Sequence, residues 1–139
     1  MKYLLLAFLL TSAIPSISER NPVQSVTTYS GNCILYKKTL VNGNKVKYTP
    51  MQEGFGKVVI SRSPKRFSFY FDGKLIKTST DYTSYLDDRQ GGEGFTMSGD
   101  VYGIYSAHRF TAERTFYVYF SPGIGGMGHE YEIQNYRVN

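Results

Sequence analysis

Acid–base, nucleophilic and metal chemistry in proteins draws on histidine, cysteine and converging carboxylates. This 139-residue sequence offers two histidines, one cysteine and eleven acidic residues. His129-Glu130 opens as the zinc-protease motif H-E-x-x-H does, but the fifth residue is Ile133 and its neighbours alternate as a strand does, where the motif needs a helix. Cys33 with His108 or His129 would supply a thiol dyad. Its place in the run Cys33-Ile34-Leu35 makes it a buried small hydrophobe instead. Asp87, Asp88 and Glu93 flank Gly91-Gly92 and carry oxygens of the kind Ca²⁺ takes, at a spacing that fits no EF-hand loop. Gly123-Ile124-Gly125-Gly126-Met127-Gly128 matches G-x-G-x-x-G. A dinucleotide site needs a helix opening at those glycines, and residues 129–139, all that follow, alternate as a strand. No G-x-S-x-G elbow is present. The sequence therefore assigns no catalytic residue, no metal and no cofactor.

Binding chemistry is better represented. Nine phenylalanines and thirteen tyrosines occur with no tryptophan. Phe67, Phe69 and Phe71 alternate with Arg66, Ser68 and Tyr70, and Phe116, Val118 and Phe120 alternate with Tyr117 and Tyr119. Period-two spacing puts each apolar set on one face of a strand and the tyrosines on the other. Tyrosines there, Tyr70, Tyr117 and Tyr119, line a ligand cavity or form an amphipathic contact surface. The segment Asp81 to Gly94 has no clear period and reads as a long surface loop, a class that is often functional. It adds Tyr82, Tyr85, Asp87 and Asp88 as contact candidates, and His129 closes a second loop, Ser121 to His129. Arg62, Lys65 and Arg66 cluster at one turn and suit an anionic partner.

The elements that position these residues are strands. Lys57 to Thr80 contains three apolar runs, and Asp72-Gly73 has the composition of a type I′ hairpin turn. A turn over Arg62 to Lys65 sets Ile60 against Phe67 and Val58 against Phe69; a one-residue slip would send the phenylalanines to the wrong face. Across Asp72-Gly73 the same face adds Ile76 opposite Phe69. Cys33 to Val41 and Lys45 to Thr49 flank Asn42-Gly43-Asn44, a second hairpin signal, and avoiding Lys38 opposite Lys47 favours Val41 opposite Val46. A strand from Val23 to Tyr29 ends at Ser30-Gly31-Asn32, Pro50 ends another, and Met51 to Gly56 is a flexible link. Phe95 to Ser106 and Arg109 to Phe120 are further strands, with bends at Gly99 and Gly103, and Glu130 to Val138 is the last. The expected fold is all-β, a single antiparallel barrel or two-sheet sandwich of about eight to nine strands.

Ahead of this domain, Met1-Lys2 and the apolar run Tyr3 to Leu10, followed by small residues to Ser18, read as a secretory signal peptide. Residues 19–139 then form one domain, secreted or periplasmic, without a helical membrane span. The lone cysteine excludes an internal disulfide and leaves a monomer or a Cys33-linked dimer. The net charge is +5 at pH 7. Between Cys33 and Lys77 lysines and arginines far outnumber Glu53 and Asp72, which steers the domain toward anionic surfaces; export argues against nucleic acid. The expected role is a non-catalytic binding or interaction module for a small ligand or an envelope partner. The alternatives are a small envelope hydrolase and a subunit of a surface assembly.

Overall fold

A computed structural model describes residues 25–43, 45–89, 91–97, 103–122 and 128–139. The signal-like segment, Gly99 and most of the G-x-G-x-x-G run lie outside them. The described residues form β1 (Val26–Val41), β2 (Lys45–Arg62), β3 (Lys65–Phe71), β4 (Lys74–Ser79), β5 (Thr83–Asp87), β6 (Gly92–Met97), β7 (Gly103–Phe110), β8 (Thr115–Pro122) and β9 (His129–Val138). All nine belong to one antiparallel sheet in the order β4-β3-β2-β1-β9-β8-β7-β6-β5. The chain walks outward from β1 to one edge at β4, then begins again at the opposite edge and returns to pair β9 with β1.

That step between edges shapes the molecule. Only residues 80–82 separate β4 from β5, so two strands at opposite ends of the sheet lie within roughly 14 Å of chain reach. The sheet must curl. Its concave side holds the core: Phe67 on β3 lies 5.6 Å, ring to ring, from Phe95 on β6 and 6.4 Å from Phe116 on β8, and Phe69 lies 4.8 Å from Tyr131 on β9. Burying each such phenylalanine contributes about 2–3 kcal/mol. The edges β4 and β5 are not hydrogen-bonded to each other, so the expected closure into a barrel is not made. Side chains join the arms instead: Arg62 on β2 bonds Glu93 on β6, the Tyr82 hydroxyl donates to the Ser61 carbonyl, and Lys77 lies over the Tyr105 ring.

The register at the organising hairpin is as expected, with Ile60 opposite Phe67 and Val58 opposite Phe69. Asp72 and Gly73 both take positive φ, the type I′ geometry. Beyond them the pairing departs from expectation. An irregularity between Phe69 and Tyr70 sets Lys77 opposite Phe69, and Ile76 is the extra residue, still packed on the core. At the first hairpin Leu40 faces Val46 and Val41 faces Lys45. Neither two-residue turn is used; the apolar pair forms one position over, and Lys38 meets Tyr48 rather than Lys47.

Three expected breaks are absent. β1 continues through Gly31, where a Cβ would stand 2.7 Å from the Gln134 carbonyl oxygen at a bulge facing β9. β2 runs through Pro50 because β3 begins to pair only at Gly56, and the missing donor coincides with an irregularity between Leu35 and Tyr36. The segment 81–94 is a hairpin rather than a long loop. Residues 83–86 are exposed on both faces of an edge strand, so no period-two signal is written there.

Candidate ligand-binding site

On the convex side, opposite the core, the register of β1, β9 and β8 builds a grid. Tyr36 pairs with Glu130, which pairs with Tyr119; alongside, Glu132 pairs with Tyr117. Alternation sends the intervening Leu35, Tyr131, Ile133 and Val118 into the core and these side chains outward. Tyr48, opposite Lys38, leans in from β2, while Phe110 and Glu113 close the far side from the β7–β8 turn. The resulting pocket has a volume of about 560 Å³, inside the range of small-molecule sites.

Its walls are rings and carboxylates. Tyr117 and Tyr119 stack at 5.9 Å with planes 9° apart, Phe110 meets Tyr117 edge-on at 5.6 Å, and Tyr36 meets Tyr48 edge-on at 6.4 Å. An ammonium already sits at this wall. Lys38 Nζ lies 2.9 Å from Glu130 Oε2, 4.6 Å from the Tyr119 ring centre and 5.4 Å from that of Tyr48. Glu132 accepts a 2.9 Å hydrogen bond from Gln134 Nε2. Three glutamates therefore face one lysine around the pocket, and the local sign is negative although the chain is basic overall.

The phenols register that field. Burial, then Glu132, Glu130 and Glu113, pushes the Tyr117 hydroxyl up to about 12. Burial and then Glu130 raise Tyr119 further, and burial followed by Glu132 and Glu130 raises Tyr36. These hydroxyls stay protonated at neutral pH and serve as hydrogen-bond groups rather than bases.

The sequence-expected contact residues scatter around this site. Tyr117 and Tyr119 line it. Tyr70 lies across β2, β1 and β9 from them, half-buried under Lys57 Nζ at 4.5 Å. Tyr82 is a core residue, its hydroxyl donating to the Ser61 carbonyl at 3.0 Å, with Lys65 Nζ 4.9 Å from the ring. Tyr85 is exposed on the β5 edge. Asp87 accepts from the Arg89 amide at 3.1 Å and stands 3.9 Å from His108 Nε2, while Asp88 occupies the following turn. Glu93 points instead to the concave side, held by Arg62 at 2.9 Å and Arg109 at 3.5 Å, so Asp87, Asp88 and Glu93 do not gather around one point. Arg62 is thereby engaged within the molecule, and Arg66 is exposed opposite Ser61. His129, opposite Phe120, shares the Tyr131 side of β9 rather than the Glu130 side.

Cys33 is 1% exposed, and burial, then Asp72 and Glu132, pushes its thiol up to about 12. That is an inert core thiol, out of reach of a partner's sulfur and on the face away from His108. Sequence reasoning missed Tyr36, Tyr48, Phe110, Glu113, Glu130 and Glu132. A signal for two of them existed in Glu130-x-Glu132, which repeats the period of Tyr117-x-Tyr119, but only the β8–β9 register shows that the pairs are opposite. No protein-family model, curated protein or solved structure matches this chain.

Proposed function

We infer that the protein is a non-catalytic binding module that captures a small ligand through a protonated amine or guanidinium in the tyrosine–glutamate pocket. The observation that carries this reading is the Lys38 ammonium between Tyr48, Tyr119 and Glu130, because it displays the chemistry the remaining wall offers: ring faces and carboxylates turned toward a cation. Tyr36, Tyr117, Glu113 and Glu132 extend the same lining into the open part of the pocket. Catalysis is not supported there. Neither histidine lines the pocket, and the phenols are shifted away from neutrality, whereas catalytic acids and bases are tuned toward it. The apolar leader of residues 1–18 supports a secreted or periplasmic setting, and the curled open sheet serves as a barrel-like scaffold for the site.

Calorimetric titration of the purified protein with tetramethylammonium, arginine amide and, as a neutral control, glucose tests the reading. Both cations are expected to bind and glucose not to. Tyr119→Leu and Glu132→Gln are each expected to weaken the cations roughly tenfold, a desolvated cation–π contact contributing about 1–2 kcal/mol. Equal binding of glucose, or cation binding indifferent to both substitutions, overturns it.

A further inference from the structure

The first hairpin projects beyond the sheet. β1 loses its β9 neighbour after Lys37, apart from one backbone bond from Lys38 to Gly128, and β2 gains β3 only at Gly56. Over Thr39–Val41 and Lys45–Lys47 the two strands have only each other as backbone partners, and residues 45–53 are exposed. A two-stranded ribbon on its own is marginal in water, and the composition of this one is not that of a solvated arm. Leu40, Val41 and Val46 surround the turn and are 53%, 37% and 44% exposed. Lys45 stands beside them at the turn, opposite Val41, with Lys47 and Lys37 further back along the arm, and no acidic residue occurs from Ile34 to Gln52.

We propose that this arm docks the protein on an anionic lipid surface, the aliphatic tip entering the headgroup region while Lys37, Lys45 and Lys47 meet lipid phosphates and carboxylates. Two physical requirements select that occupant. Aliphatic groups at a turn flanked by lysines match an interface with an apolar interior and an anionic rim, the pattern of interfacial anchors. The outward backbone groups of an isolated two-stranded ribbon cannot enter hydrocarbon unsatisfied, which limits the tip to shallow insertion. An acidic protein or nucleic acid would use the lysines but leave the exposed leucine and valines without a role. The surface is separate from the pocket function: Lys37, Lys45 and Lys47 do not line the pocket.

Sedimentation with phosphatidylcholine vesicles, with and without about one-third phosphatidylserine, tests the proposal. The wild type is expected to pellet with the anionic vesicles and stay in solution with the neutral ones. K45Q/K47Q is expected to weaken binding by about 25-fold, near fivefold per lysine at a charged surface, and L40S/V46S to abolish it. All variants share the wild-type N terminus, so differences between them belong to the arm. Unchanged near-ultraviolet circular dichroism and unchanged tetramethylammonium binding establish that each variant is folded. The proposal is overturned if the wild type ignores anionic vesicles, if neutral vesicles bind equally, or if folded L40S/V46S pellets as the wild type does. Binding to an acidic protein or to DNA that survives L40S/V46S, with no vesicle binding, also overturns it.

Discussion

Arg62 Nη2 on β2 donates to Glu93 Oε1 on β6 at 2.9 Å, although β1, β9, β8 and β7 all lie between those strands in the sheet. Arg109 Nη2 stands 3.5 Å from the other oxygen, and its guanidinium covers the Tyr29 ring at 5.4 Å. In a closed barrel, backbone hydrogen bonds would hold the two arms together; here a carboxylate between two guanidiniums does part of that work. Glu93→Gln is expected to cost about 2 kcal/mol, because it leaves Arg109 largely buried without its charge partner. Arg62→Gln should cost less, about 0.5–1 kcal/mol, since the Arg62 side chain is 53% exposed and water screens it. Urea unfolding of both variants measures the difference, and an Arg62 loss larger than the Glu93 loss would contradict the assignment of roles.

Gly56 lies at a close approach of β2 to the core. A Cβ there would stand 2.6 Å from Ile133 Cγ1 and 2.9 Å from Cys33 Cβ. Both neighbours are fully buried on β9 and β1 and have no space to retreat into. Gly56→Ala is expected to destabilise the fold by about 1–3 kcal/mol, visible as a lower urea midpoint with an unchanged slope. Gly43→Ala makes the contrast: its added methyl meets nothing, and only the positive φ of 78° opposes it.

What the sequence disclosed and what it hid divide along a physical line. Alternation is written wherever one face is buried, so the Phe67-Phe69-Phe71 face and its register against Val58 and Ile60 were legible. β5 is exposed on both faces and left no period to find. The proline signal misled at Pro50 because β2 has a single neighbour there, and the glycine signal misled at Gly31 because a bulge against β9 takes up the irregularity without ending the strand. Two of the eight residues that line the pocket, Tyr117 and Tyr119, followed from alternation alone. Bringing Tyr36 beside Glu130 and Glu132 depends on β9 returning to pair with β1, a contact between distant parts of the chain that no local pattern encodes.

Alkaline pH should dismantle the molecule in a defined window. Tyr117, Tyr119 and Cys33 all hold their protons more tightly when folded, chiefly because burial penalises the charged form. The unfolded chain releases those protons near the ordinary values of 9.0 for the thiol and 10.0 for the phenols. Stability from these groups is therefore complete below about pH 9 and is lost as pH rises toward about 12, where the folded thiol and Tyr117 titrate. Urea midpoints across that range should fall steadily, less steeply in Cys33→Ala/Tyr117→Phe. A midpoint independent of pH there would refute the assignment.

Lys38 gives the pocket an internal competitor, and removing it separates two roles. The Lys38 stem and ammonium satisfy Glu130, whose side chain is 8% exposed. Lys38→Met keeps most of the stem's packing and leaves that carboxylate facing the rings without a cation. The variant is expected to lose about 1–3 kcal/mol of stability, the cost of an unpaired, mostly buried charge. A ligand cation that enters the pocket can then replace the missing ammonium, so tetramethylammonium should raise the melting temperature of Lys38→Met more than that of the wild type. In Lys38→Met/Glu130→Gln there is no carboxylate left to satisfy, and both the destabilisation and the ligand response should shrink together. Thermal melts of the three proteins with and without the cation decide the matter. If Lys38→Met melts lower but is deaf to every added ammonium, Lys38 is only a strut, and the open part of the pocket is not a cation site.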